Sequence, residues 1–347
     1  MQAMKPFSAY AASLTGRLST HGGDLAAARS LFPAAPEPWI DLSTGINPHA
    51  YPLPALPAAC FARLPEPADL GALEALGARA FGVMDAACVV AAAGSQAIIQ
   101  MLPHVFLARR VAVLGHSYGG HAAVWAGLGR EVSVVEDYGQ LQDFDVAVIV
   151  NPNNPDGRTI SLRMLTLLAN TMAAQDGLLV VDEAFVEASA GSRTFAPFVP
   201  PSGALVLRSF GKFHGLAGLR LGFAVAPPAF AAQLRGALGP WPVSGPAIAV
   251  AARALADTAW TVATQERLAA DTLRLDRLLR LAGFSIVGGT PLFRLARHSA
   301  AAEWFARLGA AGILTRPFRD RPDWLRLGLP GPDEAWARLA AALGVEG

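Results

Sequence analysis

Short apolar runs alternate with helical stretches along the middle of the chain. Four of the runs are continuously apolar and are bounded by Gly, Pro, Asn or Asp. Strands that are buried on both faces of a parallel sheet have this pattern. The four predicted strands are Val111–Leu114, Val146–Val150, Leu178–Val181 and Ala204–Leu207. Strands that alternate with helices in this way predict an open α/β sheet with right-handed crossovers.

Two helical stretches and a further strand extend this pattern. Leucines and methionines recur at helical spacing from Ser161 to Ala174, and Ser161 is a suitable N-cap. A further strand is predicted over residues 219–225, after a glycine-rich loop. Residues 247–281 are rich in Ala, Leu and Arg and predict one long helix.

The last third of the chain has a different pattern. Short strand-like runs occur at residues 284–287, 292–295 and 324–327, and a helix is predicted near residues 300–308. This pattern fits a smaller α+β domain. The predicted domains are an N-terminal arm and connector over residues 1–45, a large α/β domain over residues 46–235 and a small C-terminal domain over residues 236–347.

Composition limits the class of protein. At 347 residues the chain exceeds the size at which one core keeps growing, so two domains are expected. Only 16% of the residues are charged and the net charge is +1, which gives no electrostatic reason to bind nucleic acid. No apolar stretch reaches the about 18 residues of a membrane span, and residues 1–18 lack the apolar block of a signal peptide. We predict a cytoplasmic protein with no nucleic-acid or membrane partner.

Cysteine and histidine positions do not predict a disulfide framework or a metal site. Cys60 and Cys88 are the only cysteines, and their spacing is not that of metal ligands. His116 and His121 are five residues apart and lack a matching third ligand. We therefore predict no metal.

Lys212 is the most informative residue for chemistry. Of the 28 basic residues 26 are arginine, and Lys5 is the only other lysine. Arginine replaces lysine in charge and ion pairing, but a guanidinium stays protonated and does not bond to an aldehyde, whereas a lysine amine does. Lys212 also lies in the glycine-rich loop of residues 209–220. It is therefore predicted to be a covalent anchor, although a surviving surface lysine is the simpler alternative.

Other polar residues follow the predicted strands, at the edge where ligands bind in open α/β sheets. Asp182, Tyr118 and Ser209 each follow an apolar run, and Asn154 lies in an Asn-Pro-rich segment after another. Residues 94–96 precede a helix, whose free amides and dipole favour an anion. Each residue alone is equally typical of a turn or a helix cap. Together they form a polar set that converges on one edge of the sheet.

This set of groups is what pyridoxal phosphate requires: an amine for its aldehyde, a carboxylate for its ring nitrogen and donors for its phosphate. The Asn-Asn-Pro, Asp-Glu-Ala and Ser-x-x-Lys motifs, with an arginine after the last, resemble the class I/II aminotransferase group of fold-type-I pyridoxal-phosphate enzymes. The resemblance covers almost the whole chain. It implies the cofactor and an α/β fold with a mainly parallel central sheet and a smaller C-terminal α+β domain.

The resemblance also implies a role for each motif residue. Lys212 is similar to the covalent lysine, Asp182 to the partner of the pyridinium nitrogen, Asn154 to the ligand of the phenolic oxygen and Tyr118 to the ring-stacking aromatic. Phe185 stands where many aminotransferases of the group have a tyrosine. The implied phosphate ligands are Gly94, Ser95, Gln96, Ser209 and Arg220.

Two further segments narrow the resemblance. His21-Gly22-Gly23 and residues 41–48 resemble the L-threonine-O-3-phosphate decarboxylases of cobalamin biosynthesis, relatives of histidinol-phosphate aminotransferases. The resemblance implies decarboxylation of L-threonine O-3-phosphate to (R)-1-amino-2-propanol O-2-phosphate, and a homodimer. The implied substrate-binding residues are His21, Gly22, Gly45, Asn154, Arg316 and Arg326.

Two other functions are alternatives at this point. An aminotransferase of the histidinol-phosphate type would use the same fold and cofactor but would remove the Cα proton in place of the carboxylate. Residues 115–119 also match the G-x-S-x-G elbow, which would make Ser117 the nucleophile of an α/β-hydrolase. The hydrolase interpretation leaves Lys212 and Asn154 unexplained, and it has only His298 as a late histidine.

Overall fold

The structure is a computed structural model that describes Leu18, residues 22–199 and residues 202–345. Its contacts divide the chain into two compact units. The sheet unit lies within Ala50–Gln265, and the terminal unit combines the described residues up to His49 with the described residues from Glu266 onward. The boundary predicted at residue 236 falls within the sheet unit, because the helix that follows it packs on the sheet.

The strands and helices of the described residues are numbered in chain order. The strands are β1 (Ile40–Asp41), β2 (Val89–Ala92), β3 (Arg110–Leu114), β4 (Glu131–Val135), β5 (Val146–Val150), β6 (Leu178–Asp182), β7 (Ala204–Ser209), β8 (Gly222–Val225), β9 (Ser285–Thr290), β10 (Phe293–Arg297), β11 (Ile313–Leu314), β12 (Arg316–Pro317) and β13 (Trp324–Gly328). The helices are α1 (Leu25–Leu31), α2 (Ala59–Ala62), α3 (Pro67–Phe81), α4 (Ser95–Val105), α5 (Gly119–Gly127), α6 (Leu162–Ala173), α7 (Phe210–Phe213), α8 (Pro228–Leu238), α9 (Gly245–Ala254), α10 (Thr258–Leu281), α11 (Ala301–Ala310) and α12 (Asp333–Leu343).

The sheet unit is built on one seven-stranded sheet with the order β2-β8-β7-β6-β5-β3-β4. Strands β3 to β7 run parallel to one another, and β8 runs antiparallel to both of its neighbours. The predicted α/β class with a mainly parallel central sheet is confirmed. Since the parallel strands end at the same edge, the segments that follow β3, β5, β6 and β7 begin there.

Burial on both faces explains why the strand sequences are continuously apolar. In β5, Val146 and Val148 pack into one hydrophobic core, whereas Ala147 and Ile149 pack into a second core. Successive side chains of a strand point to opposite faces, so both faces of this sheet are covered. Helices α3, α6 and α9 contribute to one core, and α4, α5 and α8 contribute to the other.

Two helix boundaries test the sequence-based predictions. The Ser161 hydroxyl accepts a hydrogen bond from the Met164 amide at 3.4 Å, so the predicted N-cap of α6 is confirmed. The single helix predicted over residues 247–281 is wrong in one respect, because it is two helices, α9 and α10. Asp257 lies between them and caps α10 by accepting from the Trp260 amide at 2.9 Å, which ends one helix and starts the next.

The terminal unit contains a four-stranded antiparallel sheet with the order β12-β13-β10-β9, and β1 pairs with β11 in parallel. The residues after β1 extend this arrangement. The Leu42 amide donates to the Leu314 carbonyl at 2.7 Å, and the Gly328 amide donates to the Leu42 carbonyl at 2.7 Å. Residues 42–44 are therefore fixed against β13, the strand that contains Arg326.

Two further findings concern the described residues as a set. None of their helices is long and apolar enough to cross a membrane. Their His, Cys, Asp and Glu side chains form no cluster of three or more that could hold a metal ion.

Candidate active site

The carboxyl ends of the parallel strands carry the residues predicted from the sequence. Asp182 is the last residue of β6, and Ser209 is the last residue of β7. Lys212 lies in the short helix α7 directly after β7, and Tyr118 immediately precedes α5. Asn154 is half-buried in the loop after β5. The topology therefore brings these five predicted residues to one edge of the sheet.

One end of this edge is suited to bind a phosphate. The hydroxyl oxygens of Ser95 and Ser209 are 2.6 Å apart, at the amino end of α4. A Cβ atom on Gly94 would lie 2.9 Å from Nη2 of Arg220, so the guanidinium passes directly over this glycine. Two hydroxyls, a guanidinium and a helix amino terminus are donors that suit a dianionic phosphate. The fit supports the predicted phosphate site of pyridoxal phosphate.

Gly222 of β8 allows the amino end of α4 to approach the sheet. A Cβ atom at this position would lie 2.2 Å from the Ser95 amide nitrogen. No neighbouring side chain can yield to relieve that contact, because the atom belongs to the backbone. The position of the Ser95 amide, and so of the phosphate site, depends on a glycine at residue 222.

Asp182 is a buried carboxylate with a fixed orientation. It is 4% exposed, and its Oδ1 atom accepts a hydrogen bond from the Ala184 amide at 3.0 Å. Its Oδ2 atom is 2.8 Å from Nε2 of His121, which is itself buried. A carboxylate held from both oxygens can stabilise a protonated ring nitrogen beside it. From the sequence, His121 was tested only as a metal ligand. Its partner Asp182 is 61 residues away, and no local pattern connects the two.

Tyr118 is held by Gln96, a predicted site residue, and by His121, which was not predicted as one. Its hydroxyl donates to Oε1 of Gln96 at 2.9 Å. Its ring packs edge-on against His121, with the ring centroids 5.8 Å apart. Gln96 therefore orients the aromatic ring through its side chain, and the same contacts continue through His121 to Asp182.

The asparagines after β5 divide into two groups. Asn151 exchanges hydrogen bonds with Ile160, at 2.8 and 3.3 Å, and Asn153 donates to the His116 carbonyl at 2.9 Å. These two residues shape the loop. Asn154 lies next in this fixed loop, and its predicted position beside the cofactor stays a prediction.

A cluster of aromatic rings surrounds the residue that follows α7. His214 stacks on Phe210 with the ring centroids 4.1 Å apart, and on Trp260 at 5.5 Å. Burial lowers the pKa of His214, and its Nδ1 atom is 3.1 Å from the Phe210 carbonyl oxygen. A neutral histidine that donates from Nδ1 therefore packs against the helix that contains Lys212.

The terminal unit contains a separate group of cationic residues. Arg316 of β12 pairs in register with Arg326 of β13, and Arg326 is only 3% exposed. The Arg326 guanidinium donates to the Ser43 carbonyl at 2.6 Å and lies 5.0 Å from the centre of the Phe293 ring. Burial and the neighbouring charge of Arg316 lower the pKa of Arg326 to about 9. A bound anion would offset both effects, so this group is suited to an acidic ligand.

Gly22 and Gly45, the two glycines that are predicted to contact substrate, lie in the terminal unit. Gly22 lies against Ser43, and Gly45 is buried two residues further along the chain. His21 lies outside the described residues. The predicted substrate-binding role of these residues stays a prediction.

The fold and these groups define a cofactor-dependent enzyme of the aminotransferase type. A family profile, Aminotransferase class I and II, matches residues 61–343. The chain belongs to this family.

Relatives of known name extend over nearly the whole chain. It is 43% identical to a threonine-phosphate decarboxylase from Pseudomonas aeruginosa, over 93% of this chain and 96% of that protein. It is 40% identical to a threonine-phosphate decarboxylase from a Sinorhizobium species, over 93% of this chain and 97% of that protein. A crystal structure of histidinol-phosphate aminotransferase from Sinorhizobium meliloti in complex with pyridoxal-5′-phosphate has the same fold, with a TM-score of 0.77, 21% identity and coverage of 92% of each chain.

The hydrolase alternative is rejected. Ser117 follows β3, but its hydroxyl makes no hydrogen bond within the described part of the chain. His298, the histidine that the interpretation required, accepts a hydrogen bond from the Ala300 amide at 3.0 Å. The chain belongs to a different family, the class I and II aminotransferases.

A pair of glycine substitutions tests the phosphate site. Gly222→Ala should weaken pyridoxal phosphate binding by about tenfold or more, because the methyl group must displace the amino end of α4. Gly218→Ala, where a Cβ atom meets nothing within 4 Å, is the matched control. Titration of the apo-proteins with pyridoxal phosphate, followed by absorbance, measures both affinities. Equal affinities would contradict the assigned phosphate site.

Proposed function

We propose that this protein is a pyridoxal-phosphate-dependent enzyme that decarboxylates L-threonine O-3-phosphate to (R)-1-amino-2-propanol O-2-phosphate, a reaction of cobalamin biosynthesis. The observation that carries the substrate assignment is the buried guanidinium of Arg326 beside Arg316, which favours a strongly anionic ligand. The names of two relatives at 43% and 40% identity support the same reaction.

The cofactor roles follow the geometry of the sheet edge. Lys212 would hold the aldehyde covalently, Asp182 would face the ring nitrogen, Tyr118 would stack on the ring and Asn154 would bind the phenolic oxygen. The bound cofactor supplies an electron sink for the bonding electrons released at Cα. The phosphate would be bound by Gly94, Ser95, Gln96, Ser209 and Arg220.

The residues of this chain would direct which bond breaks and where protons move. The carboxylate of Asp182, oriented by His121, would face the ring nitrogen and favour its protonated form. The substrate phosphate and carboxylate are assigned to Arg326, Arg316, Gly22, Gly45 and His21. By holding the phosphate and the carboxylate, these residues would orient the bond between Cα and the carboxylate for cleavage. The carboxylate then leaves as carbon dioxide. The ammonium group of Lys212 would then donate a proton to Cα as a general acid, in the place that the carboxylate has left.

The covalent anchor is tested by a charge-conserving substitution. Lys212→Arg should retain the fold but lose the borohydride-reducible link to the cofactor, because a guanidinium is a poor nucleophile at neutral pH. Lys5→Arg replaces the only other lysine and should be silent. Visible absorbance before and after borohydride measures both variants. A reducible chromophore in the Lys212→Arg protein would refute the anchor.

Substrate choice is tested by product analysis. A phosphate bound by a guanidinium and by amides makes charge-assisted hydrogen bonds, each worth ~1.5–3 kcal/mol. Unphosphorylated threonine leaves these donors unpaired, so its kcat/KM should be lower by roughly 10³-fold or more. Arg326→Met should remove much of this discrimination and leave the cofactor spectrum unchanged. Carbon dioxide and the amino alcohol phosphate are the products to be measured.

The histidinol-phosphate aminotransferase alternative makes the opposite prediction for the same assays. It expects histidinol phosphate and 2-oxoglutarate to be converted, and threonine phosphate to yield no carbon dioxide. Steady formation of a keto acid without decarboxylation would refute the proposed reaction. The fold and cofactor assignments would be unaffected.

We further propose that the protein is a homodimer through an apolar surface of the sheet unit, called here the Phe61 surface. It consists of Leu53, Phe61, Leu64 and Trp241, and Phe61 is 70% exposed. Phe61 lies in α2 and Leu64 shortly after it. Helix α9 packs on α2, with the Cys60 carbonyl 2.4 Å from a Cβ atom placed on Gly245. A large exposed apolar surface is typical of a protein interface.

Charge placed on the Phe61 surface should prevent dimer formation. Phe61→Glu combined with Leu64→Glu should sediment as a monomer, because two buried charges would cost several kcal/mol at an apolar interface. Leu107→Glu is the control, since Leu107 is also an exposed leucine, at 86%, and is not part of the Phe61 surface. Sedimentation velocity distinguishes the two states. A double variant that stays dimeric would place the interface elsewhere.

A further inference from the structure

Ser43 is a buried residue that contacts both the N-terminal glycines and Arg326. It is 1% exposed and lies two residues after β1, within the terminal unit. Its hydroxyl oxygen is 2.8 Å from the Gly23 amide nitrogen. Its carbonyl oxygen is 2.6 Å from Nη2 of Arg326. Ser43 therefore bonds to Gly23 through its side chain and to Arg326 through its backbone.

Asp41 fixes the direction of the Ser43 hydroxyl. Its Oδ1 atom lies 2.5 Å from the Ser43 hydroxyl oxygen and 2.9 Å from the Ser43 amide nitrogen. An ionised carboxylate has no proton to donate, so the hydroxyl gives its single proton to Asp41. The lone pairs of the hydroxyl are left for the Gly23 amide. Asp41 thus makes Ser43 an acceptor for the glycine segment, and its charge also favours the cationic form of Arg326.

Gly22 allows the close approach that this contact requires. A Cβ atom at residue 22 would lie 2.3 Å from the Ser43 carbonyl oxygen, the same atom that accepts from Arg326. Backbone atoms on this fixed segment cannot yield by a side-chain rotation. A side chain at residue 22 would therefore separate the glycine segment from Ser43 or displace the carbonyl that orients Arg326.

We propose that Ser43 is a positioning residue for substrate phosphate: it holds Gly22 and Gly23 against the carbonyl that orients Arg326, so that the segment and the guanidinium bind one anion together. This inference deepens the proposed function and rests on it for the identity of the anion. It assigns Ser43 no part in the bond-breaking chemistry. Its loss should therefore affect recognition of the phosphate and leave the chemical step and the cofactor unchanged.

Ser43→Ala removes the hydroxyl and keeps the carbonyl that binds Arg326. The KM for threonine phosphate should rise about tenfold, the effect of losing one hydrogen bond that positions a charged ligand, while kcat changes less than about twofold. The dissociation constant of inorganic phosphate from the holoenzyme, measured by titration calorimetry, should rise by a similar factor. The kcat/KM for unphosphorylated threonine and the visible spectrum should stay unchanged.

Gly22→Ala disrupts the same contact from the other side and should raise the KM for threonine phosphate and the dissociation constant of inorganic phosphate by a similar factor. The double variant should bind phosphate no more weakly than the weaker-binding single variant, because both changes break the same contact. Ser30→Ala and Gly71→Ala are the controls. Ser30 is an exposed helical serine, a Cβ atom on Gly71 meets nothing within 4 Å, and both variants should behave as wild type.

The outcomes separate this inference from the proposed function. An unchanged phosphate affinity in Ser43→Ala, a fall in kcat in place of the rise in KM, or effects of the two single variants that multiply would each refute the role of Ser43. A wild-type enzyme that yields no carbon dioxide from threonine phosphate would refute the proposed function alone. The calorimetric comparison with inorganic phosphate would still decide whether Ser43 positions an anion.

Discussion

At the carboxyl edge of the sheet, the relative position of strands β6 and β7 depends on one buried arginine, Arg208. Arg208 of β7 is buried and pairs with Glu183 at 3.3 Å and with Glu187 at 2.6 Å. Burial opposes its charge, yet the carboxylates of Glu187 and Glu183 hold the pKa of Arg208 above its ordinary value. Losing one partner of such a buried pair costs about 3–5 kcal/mol, because the other charge stays buried. Strands β6 and β7 are thus held in a fixed relation where they end.

The sequence neighbours of this ion pair are site residues. Asp182 directly precedes Glu183, and Ser209 directly follows Arg208. Since successive residues of an extended strand face opposite sides, each strand end directs one side chain into the ion pair and the next toward the site. The strand ends that carry Asp182 and Ser209 are therefore held together by a structural ion pair. Pre-organisation of this kind avoids an ordering cost when the cofactor binds.

The parts of the fold that were predictable are those with an unambiguous local pattern. Strands β3, β5, β6 and β7 are apolar on both faces, so their type was readable from the runs alone. Strand β4 was missed because it lies at the edge of the sheet and is half polar, with the sequence Glu-Val-Ser-Val-Val. The break between α9 and α10 was missed because Ala, Leu and Arg continue on both sides of Asp257, which becomes a cap only through its own hydrogen bond.

The same distinction applies to the candidate site. Lys212, Asp182 and Asn154 could be proposed from the sequence because each lies in a short motif after a strand. His121 and Ser43 act through partners distant in sequence, 61 residues away for Asp182 and 283 for Arg326. No periodicity or spacing encodes such pairs. They become visible only when the fold brings the strands and loops together.

The atoms that surround the glycines of the candidate site differ from those around a glycine that serves apolar packing. A Cβ atom on Gly309 would meet the Phe32 ring at 2.3 Å, so that glycine serves the packing of two apolar elements. At Gly94, Gly222 and Gly22 the nearest atoms are a guanidinium nitrogen, an amide nitrogen and a carbonyl oxygen. A glycine at each of these three positions lets polar groups approach the backbone closely. Close approach of polar groups is also what the phosphate sites proposed for the cofactor and for the substrate would need.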